Sequence, residues 1–405
     1  MKLADRARRI APSATMAVDA KAKEMQRAGI NVVSFGAGEP DFPTPSHVKE
    51  AASRAISANF TKYTPVGGIP ELREAIAQRL KVDDGRLDYR PEQIVVGNGA
   101  KDICYSICQV LLQAGDEAII PAPYWVSYAE QVALADARPV IVPTREESGF
   151  KISAAQLDAA ITGQTRLVIL NSPCNPTGAV YTAAELRALG EVLERHPEVM
   201  LLTDEIYKKI AYGDDGRAPS AAAVLAHLAE QVILVDGASK AYSMTGWRIG
   251  FAAGPAPLMA AMRNLQSHST SGAASISQKA AVAAFAGDQG EVERMRREFQ
   301  RRRDTIVAAL NAMPGFRCSV PGGAFYAFPN VQGALGRTYR GSRVDTSLDL
   351  ATYLLEEAHV AVTHGEAFGA PGYLRLSYAT SLEHIDEGMR RMADALAVQQ
   401  VGAPA

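Results

Sequence analysis

The chain has 405 residues, 47% of them hydrophobic and 21% charged, with a formal net charge of −2. A chain this long buries a substantial core without disulfide staples, as two or three domains or as one large domain with a smaller one attached. The charge balance excludes the basic footprint of a nucleic-acid binder, and no window reaches the roughly 18 apolar residues of a membrane span.

Met1 to Arg9 is charged and lacks a signal-peptide apolar stretch, so a soluble, cytoplasmic protein is expected. A helix is predicted over Ala14 to Gly29. Ile94-Val95-Val96 then leads through a glycine-containing turn to a helix from about Lys101. Further strands are predicted at Glu117 to Ile120, Leu167 to Leu170, Val199 to Leu202, Val232 to Val235 and Arg248 to Ala253. Continuous apolar runs suit strands buried on both faces, and the intervening helical patterns suit a mainly parallel, helix-covered sheet. The fold class is therefore α/β.

After about residue 290 the pattern changes. A charged helix, Glu291 to Ala312, precedes a strand at Ala324 to Phe328, a glycine-rich loop at Val331 to Ser347, and a helix at Leu348 to Ala358. Short strands follow at Val360 to Thr363 and Leu374 to Tyr378. The expected organisation is an N-terminal arm and helix (1–45) belonging to a small α+β domain, a large domain (46–290), and the rest of the small domain (291–405). The arginines between 296 and 303 alternate with Glu298 and lie beside Glu293 and Asp304, which reads as a solvated helix face. Cys104, Cys108, Cys174 and Cys318 have neither redox C-x-x-C nor zinc-ligand spacing, so free thiols and no metal site are expected.

Open α/β sheets bind ligands in the crevice at the carboxyl ends of their strands. Five predicted strand ends deliver Gly99 to Lys101, Trp125, Asn175, Asp204 with Tyr207, and Lys240 to that edge. Lys240 closes the small-residue turn Gly237-Ala238-Ser239-Lys240, which lets a ligand approach the backbone. A surface charge is the plain reading; a lysine that attacks an aldehyde must instead be neutral, through desolvation or cationic neighbours. Asp204 follows apolar residues, so it is either a helix cap or a partly buried carboxylate in need of a cation. Asn175 and Tyr207 either satisfy loops or donate to a ring oxygen. Trp125 either packs in the core or stacks on an aromatic ring. Arg248 fits a structural salt bridge or a bidentate phosphate clamp. The turn Gly97 to Lys101 opens a helix whose first amides form an anion site.

Taken together, Ser172-Pro173-Cys174-Asn175-Pro176-Thr177-Gly178, Asp204-Glu205-Ile206-Tyr207, Ser239-Lys240 and Thr245-Gly246-Trp247-Arg248 resemble the class I/II (fold type I) aminotransferases that use pyridoxal 5′-phosphate. The spacing is specific: 29 residues from Asn175 to Asp204, 36 to Lys240, and eight to Arg248. Pro12-Ser13-Ala14-Thr15, Gly36 to Phe42, Tyr63 with Gly67-Gly68, Pro123 to Tyr128 and Arg375 to Ala379 extend the similarity to residues 5–395, toward bacterial-type aspartate aminotransferases.

The resemblance implies Lys240 as the Schiff-base lysine and acid–base catalyst, Asp204 as partner of the ring nitrogen, and Tyr207 and Asn175 as donors to the ring oxygen. It implies Trp125 stacked on the ring, and Ser239, Arg248 and the amides of Ala100 and Lys101 around the phosphate. Tyr63 is implied to reach the neighbouring subunit's site in a homodimer. Arg375 and Asn175 are implied to bind the substrate α-carboxylate beneath the backbone of Gly38. Lys101, helped by Ser13 and Thr15, is implied for a distal carboxylate, which favours a ping-pong exchange between L-aspartate and 2-oxoglutarate. Two positions depart from the pattern. Ala11 stands where prephenate-using relatives carry a basic residue, and Gly237 stands where many relatives have a hydroxyl. Aromatic, neutral or prephenate specificity, a lyase of the same fold, and a non-enzymatic regulator that binds the same cofactor are the competing readings. The short stretch before Val32 is expected to leave no room for the DNA-binding module of such a regulator.

Overall fold

The computed structural model of the protein describes residues 1–213 and 216–397. The helix Ala14–Arg27 leads into a two-residue strand, β1 (Val33–Ser34). A seven-stranded sheet follows, built from β2 (Ile94–Asn98), β3 (Glu117–Ala122), β4 (Arg138–Pro143), β5 (Thr165–Asn171), β6 (Met200–Asp204), β7 (Val232–Gly237) and β8 (Ile249–Ala253). Its spatial order is β2-β8-β7-β6-β5-β3-β4. All neighbours run parallel except β8, which is antiparallel to both β2 and β7. The class is α/β with a mainly parallel sheet, as the apolar runs predict.

Successive strand residues enter two different apolar layers. Val95, Ile169, Leu202 and Val235 pack with Ile103 and Ile107 on one face. Val96, Val168, Leu201 and Leu234 pack with Leu72, Ile76 and Leu186 on the other. A side chain of this size contributes roughly 1.5–3 kcal/mol when fully buried, so two covered faces account for strands that are apolar throughout rather than alternating.

The reversal of β8 matters for the site. Its amino end lies at the same sheet edge as the carboxyl ends of the other strands. The strand begins at Ile249, one residue later than predicted, because Arg248 adopts a left-handed conformation with φ 57°. Patterning does not pick out β4, an edge strand with prolines at positions 139 and 143 and only partial burial.

A second unit contains the helix Gly290–Asn311, β9 (Tyr326–Ala327), β10 (Arg337–Tyr339), β11 (Ser342–Val344), the helix Ser347–Glu357, β12 (Val360–Ala361), β13 (Thr363–His364), β14 (Leu374–Ser377) and the helix Leu382–Leu396. β1 pairs in parallel with β12, and Val33 and Phe35 join the apolar core of this unit. The helix Ala14–Arg27 packs on β12 and β13.

Two expectations are corrected here. The segment 331–347 is not a plain loop: β10 and β11 form a hairpin across Arg340-Gly341, whose φ values of 47° and 91° define a primed turn. The arginine-rich helix is not simply solvated. Arg302 is 5% exposed, and it lies over Phe42 and Phe299.

Gly250 fixes how the helix Ala100–Leu111 meets the sheet. A Cβ at Gly250 would sit 2.1 Å from the Ala100 nitrogen. Gly250→Ala should therefore push that helix N-terminus away and destabilise the protein by about 1–3 kcal/mol, the usual scale of overpacking. Urea denaturation checks this; an unchanged midpoint and slope would show that the contact is slack.

Candidate active site

The strand ends and the second unit enclose a cleft of about 330 Å³. It collects Thr15, Gly38, Ala100, Lys101, Trp125, Asn175, Asp204, Tyr207, Ser239, Lys240, Arg248 and Arg375. Two candidates lie outside it. Ser13 touches the cleft only through Thr15, with their hydroxyls 3.0 Å apart. Tyr63 is 98% exposed and borders a separate surface depression near Thr270 to Ser275.

Asp204 ends the central strand β6 and is 4% exposed. Its Oδ2 accepts from the Tyr128 hydroxyl at 2.6 Å and its Oδ1 from the Ile206 amide at 3.1 Å. Burial pushes the carboxyl above its ordinary range, while these hydrogen bonds and the charge of Lys240 oppose the rise. No salt bridge reaches Asp204 among the described residues. Asn171 lies directly across the β5–β6 ladder; its Nδ2 donates to the Asp204 carbonyl at 2.9 Å, and its Oδ1 accepts from the Asn175 amide at 2.8 Å.

Lys240 follows β7 and is partly buried. Its Nζ donates to the Gly38 carbonyl at 2.6 Å and lies 5.9 Å from the centre of the Tyr207 ring. Loss of hydration pulls the ammonium down to about 8. Glu39 and Asp204 oppose that fall, and Arg248 and Arg375 reinforce it. The Tyr207 hydroxyl pairs with that of Tyr326 at 2.8 Å, and burial raises both phenols.

The opposite wall is cationic. Gly99 has φ 88° and precedes the helix Ala100–Leu111; a Cβ there would lie 2.5 Å from an Arg248 guanidinium nitrogen. Arg248 donates to the carbonyls of Thr245 and Asn98 at 2.9 and 3.1 Å, with no carboxylate partner among the described residues. The amides of Ala100 and Lys101, in the first helical turn at the edge of the cleft, have no acceptors of their own among those residues. Ser239 is buried beside them. Lys101 Nζ lies 4.9 Å over the Trp125 ring, and burial together with Arg248 lowers its ammonium.

Gly237, where a hydroxyl could have helped hold an anion, has no room for one. A Cβ there would stand 2.7 Å from the Ile249 carbonyl across the β7–β8 ladder.

Arg375 comes from β14 and is 2% exposed. It donates to the Gly36 carbonyl at 2.6 Å and to Asn175 Oδ1 at 3.2 Å, and its Nε has no partner among the described residues. Its guanidinium lies 4.8 Å from the Tyr326 ring centre and 5.1 Å from that of Phe368. A buried guanidinium without a carboxylate is prepared for an incoming anion. Sequence reasoning missed the roles of Tyr128, Asn171 and Tyr326. Asn171 could have been found, since it is the polar residue that closes an apolar strand.

With the geometry established, comparison with known proteins is informative. Residues 30–392 match the family model for aminotransferases of class I and II. An aspartate aminotransferase of Geobacillus stearothermophilus is 50% identical over 392 residues, 97% of this chain and 98% of that protein. A probable aspartate/prephenate aminotransferase of Rhizobium leguminosarum is 48% identical over 391 residues, 96% of this chain and 97% of that protein. The crystal structure of the Rhizobium meliloti aspartate aminotransferase superposes with a TM-score of 0.94 at 46% identity, covering 98% and 99% of the two chains. The chain belongs to the class I and II aminotransferases.

The state of Lys240 has a measurable consequence. Its folded value of about 8 lies below the usual lysine value of about 10.4, so the unfolded chain binds the extra proton between those limits. The penalty on folding is full below pH 8 and is lost as pH rises toward 10.4. Without added ligand, Lys240→Met should gain stability over the parent at pH 7, and the gain should shrink across that window. A gain that does not vary with pH in denaturation series would place the ammonium in solvent.

Proposed function

We propose that this chain binds pyridoxal 5′-phosphate through Lys240 and transfers the amino group of L-aspartate to 2-oxoglutarate, giving oxaloacetate and L-glutamate. The observation that carries the reading is one cleft that holds both Lys240, whose ammonium is pulled down to about 8, and Asp204, a buried carboxylate with no salt bridge among the described residues. When bound, the cofactor supplies an electron sink for the substrate α-carbon.

The residues present fit that group. Asp204 offers the negative charge that keeps a ring nitrogen protonated. Asn175 and Tyr207 offer donors for the ring oxygen, and Trp125 an aromatic face. Arg248, Ser239 and the free amides of Ala100 and Lys101 form an anion cradle at a helix N-terminus. Arg375 and Asn175 take the substrate α-carboxylate under Gly38. Lys240 Nζ, once neutral, takes the α-proton and hands it back, a role that needs a pKa near the working pH. The small unit (1–45 and 291–405) closes over the large one (46–290) and excludes water.

Lys101 is assigned to the distal carboxylate of the substrate, with Thr15 and Ser13 in support. The relatives that are aspartate aminotransferases favour aspartate, as does a similar solved structure, the Thermus thermophilus aspartate aminotransferase with maleate, at 40% identity. Ala11 argues against prephenate, because the two arginines just before it are engaged elsewhere: Arg8 pairs with Asp5 and Arg9 with Asp136. We place the protein in the cytoplasm as a homodimer. The dimer explains why Tyr63, a cofactor ligand in this reading, stands far out on the surface. No helix among the described residues is long and apolar enough to cross a membrane.

Steady-state rates with aspartate, phenylalanine and alanine as donors, and with prephenate as acceptor, test the substrate assignment. Aspartate should exceed alanine in kcat/KM by at least about tenfold, the scale of one charge-assisted contact. Equal turnover of alanine would remove Lys101 from its role. Mixed dimers test the shared site. Tyr63→Leu and Lys240→Ala chains, each impaired alone, should regain activity when refolded together, because one mixed site carries both intact residues. No recovery despite mixed dimers would confine the site to one chain.

A further inference from the structure

We propose that Arg302 is a positioning residue that fixes the segment Gly36 to Asp41 over the reacting groups, acting through Asp41. The proposal rests on the aminotransferase reading of the cleft. Between Phe35 and Pro45 no backbone–backbone hydrogen bond secures the chain among the described residues. Yet two carbonyls of this segment hold the two most exacting cations of the site. Gly36 accepts from Arg375, and Gly38 accepts from Lys240, each at 2.6 Å. Side chains must therefore set the height of the segment above the cleft.

Arg302 is built for that task. It stands on the helix Gly290–Asn311, donates from one guanidinium nitrogen to Asp41 at 2.7 Å, and from Nε to Glu298 at 3.0 Å. Its guanidinium also lies 4.8 Å over the Phe42 ring, and Phe42 meets Phe299 edge-on at 5.3 Å. One buried cation thus grips the last residue of the segment, Asp41, by charge and the next residue, Phe42, by its flat face. Phe299 continues to Phe325 at 5.2 Å and Phe325 to Tyr207 at 5.4 Å, so the grip shares a packed aromatic row with the site itself. Other side-chain hydrogen bonds, from the Thr245 hydroxyl to Glu39, from the Thr44 hydroxyl to the Ser243 carbonyl and from the Trp247 indole to Thr44, run to the large domain. Arg294 lies 5.6 Å over the Phe42 ring without a hydrogen bond to the segment among the described residues. Arg302 supplies the tie from the helix on the other side. Lysine could not replace it, because a point charge cannot meet Asp41 and Glu298 while covering Phe42.

The test uses the holoenzyme, with KM and kcat measured separately. Arg302→Met and Asp41→Ala should each raise KM for the amino donor about tenfold, the scale of one lost charge-assisted contact, with kcat changed less and the visible cofactor absorbance retained. The double variant should be no worse than either single one, since both remove the same link. Asp41→Asn keeps an oxygen acceptor and should recover most of the affinity. Glu298→Gln, which touches Arg302 but not the segment, should leave KM unchanged. A KM for Arg302→Met within twofold of the parent, or additive effects in the double variant, would overturn the proposal. Should Arg302→Met fail to fold, Asp41→Ala alters a carboxylate side chain that is 33% exposed and carries the same comparison. If the parent prefers another amino donor, the aspartate reading falls, and the variants are compared with that donor instead.

Discussion

A carboxylate removed from water costs several kcal/mol unless something neutralises it, and Asp204, at the end of the central strand, has a hydroxyl and an amide as hydrogen-bond donors and no salt bridge among the described residues. Much of the surrounding architecture holds that group in place. Tyr128 approaches from the first turn of the helix Ser127–Leu134, which follows β3, and Asn171 braces the Asp204 backbone from β5. The site therefore carries an unmet demand for positive charge at a fixed point. Lys240 is nearby, but its own hydration is stripped and it turns to the Gly38 carbonyl. On the proposed reading, the protonated ring nitrogen of the cofactor meets the demand.

The other end of the cleft has the opposite sign. Arg248, Lys101 and two helix amides converge there, with no salt-bridge partner among the described residues. Two backbone features create that convergence. The antiparallel course of β8 carries Arg248 to the ligand edge, and Gly250 lets the helix N-terminus rest against the strand. The chain thus presents a negative point on one side and a positive cradle on the other, with a poised lysine between. A ligand with a cationic ring and an anionic phosphate has that pattern. Arg375, buried on Tyr326 and Phe368, adds a separate cation, which the proposed reading assigns to a substrate carboxylate.

Much of this was legible in the residues. Apolar runs ending in Asp204, Asn175 or Lys240 locate strand ends, and the strand-end rule then places these side chains in one crevice. Contacts made across the sheet or between units were not legible. Tyr128 reads as one more aromatic residue until β3 and β6 are folded into the same sheet. Tyr326 finds Tyr207 from 119 residues away. Arg302 was misread because alternating charge on a helix normally faces water, and nothing local announces that Asp41 and Phe42 cover it. The β10–β11 hairpin escaped because its strands are three residues long and its turn is Arg-Gly, without the asparagine or aspartate that usually marks such a turn.

The central claim is that one lysine, chosen by its surroundings, holds the cofactor. Borohydride reduction of the holoprotein, followed by proteolysis and mass spectrometry, tests it directly. The account predicts a phosphopyridoxyl group on the peptide containing Lys240 and none on the peptide containing Lys101. Stoichiometric label on any other lysine, with Lys240 unmodified, would contradict it.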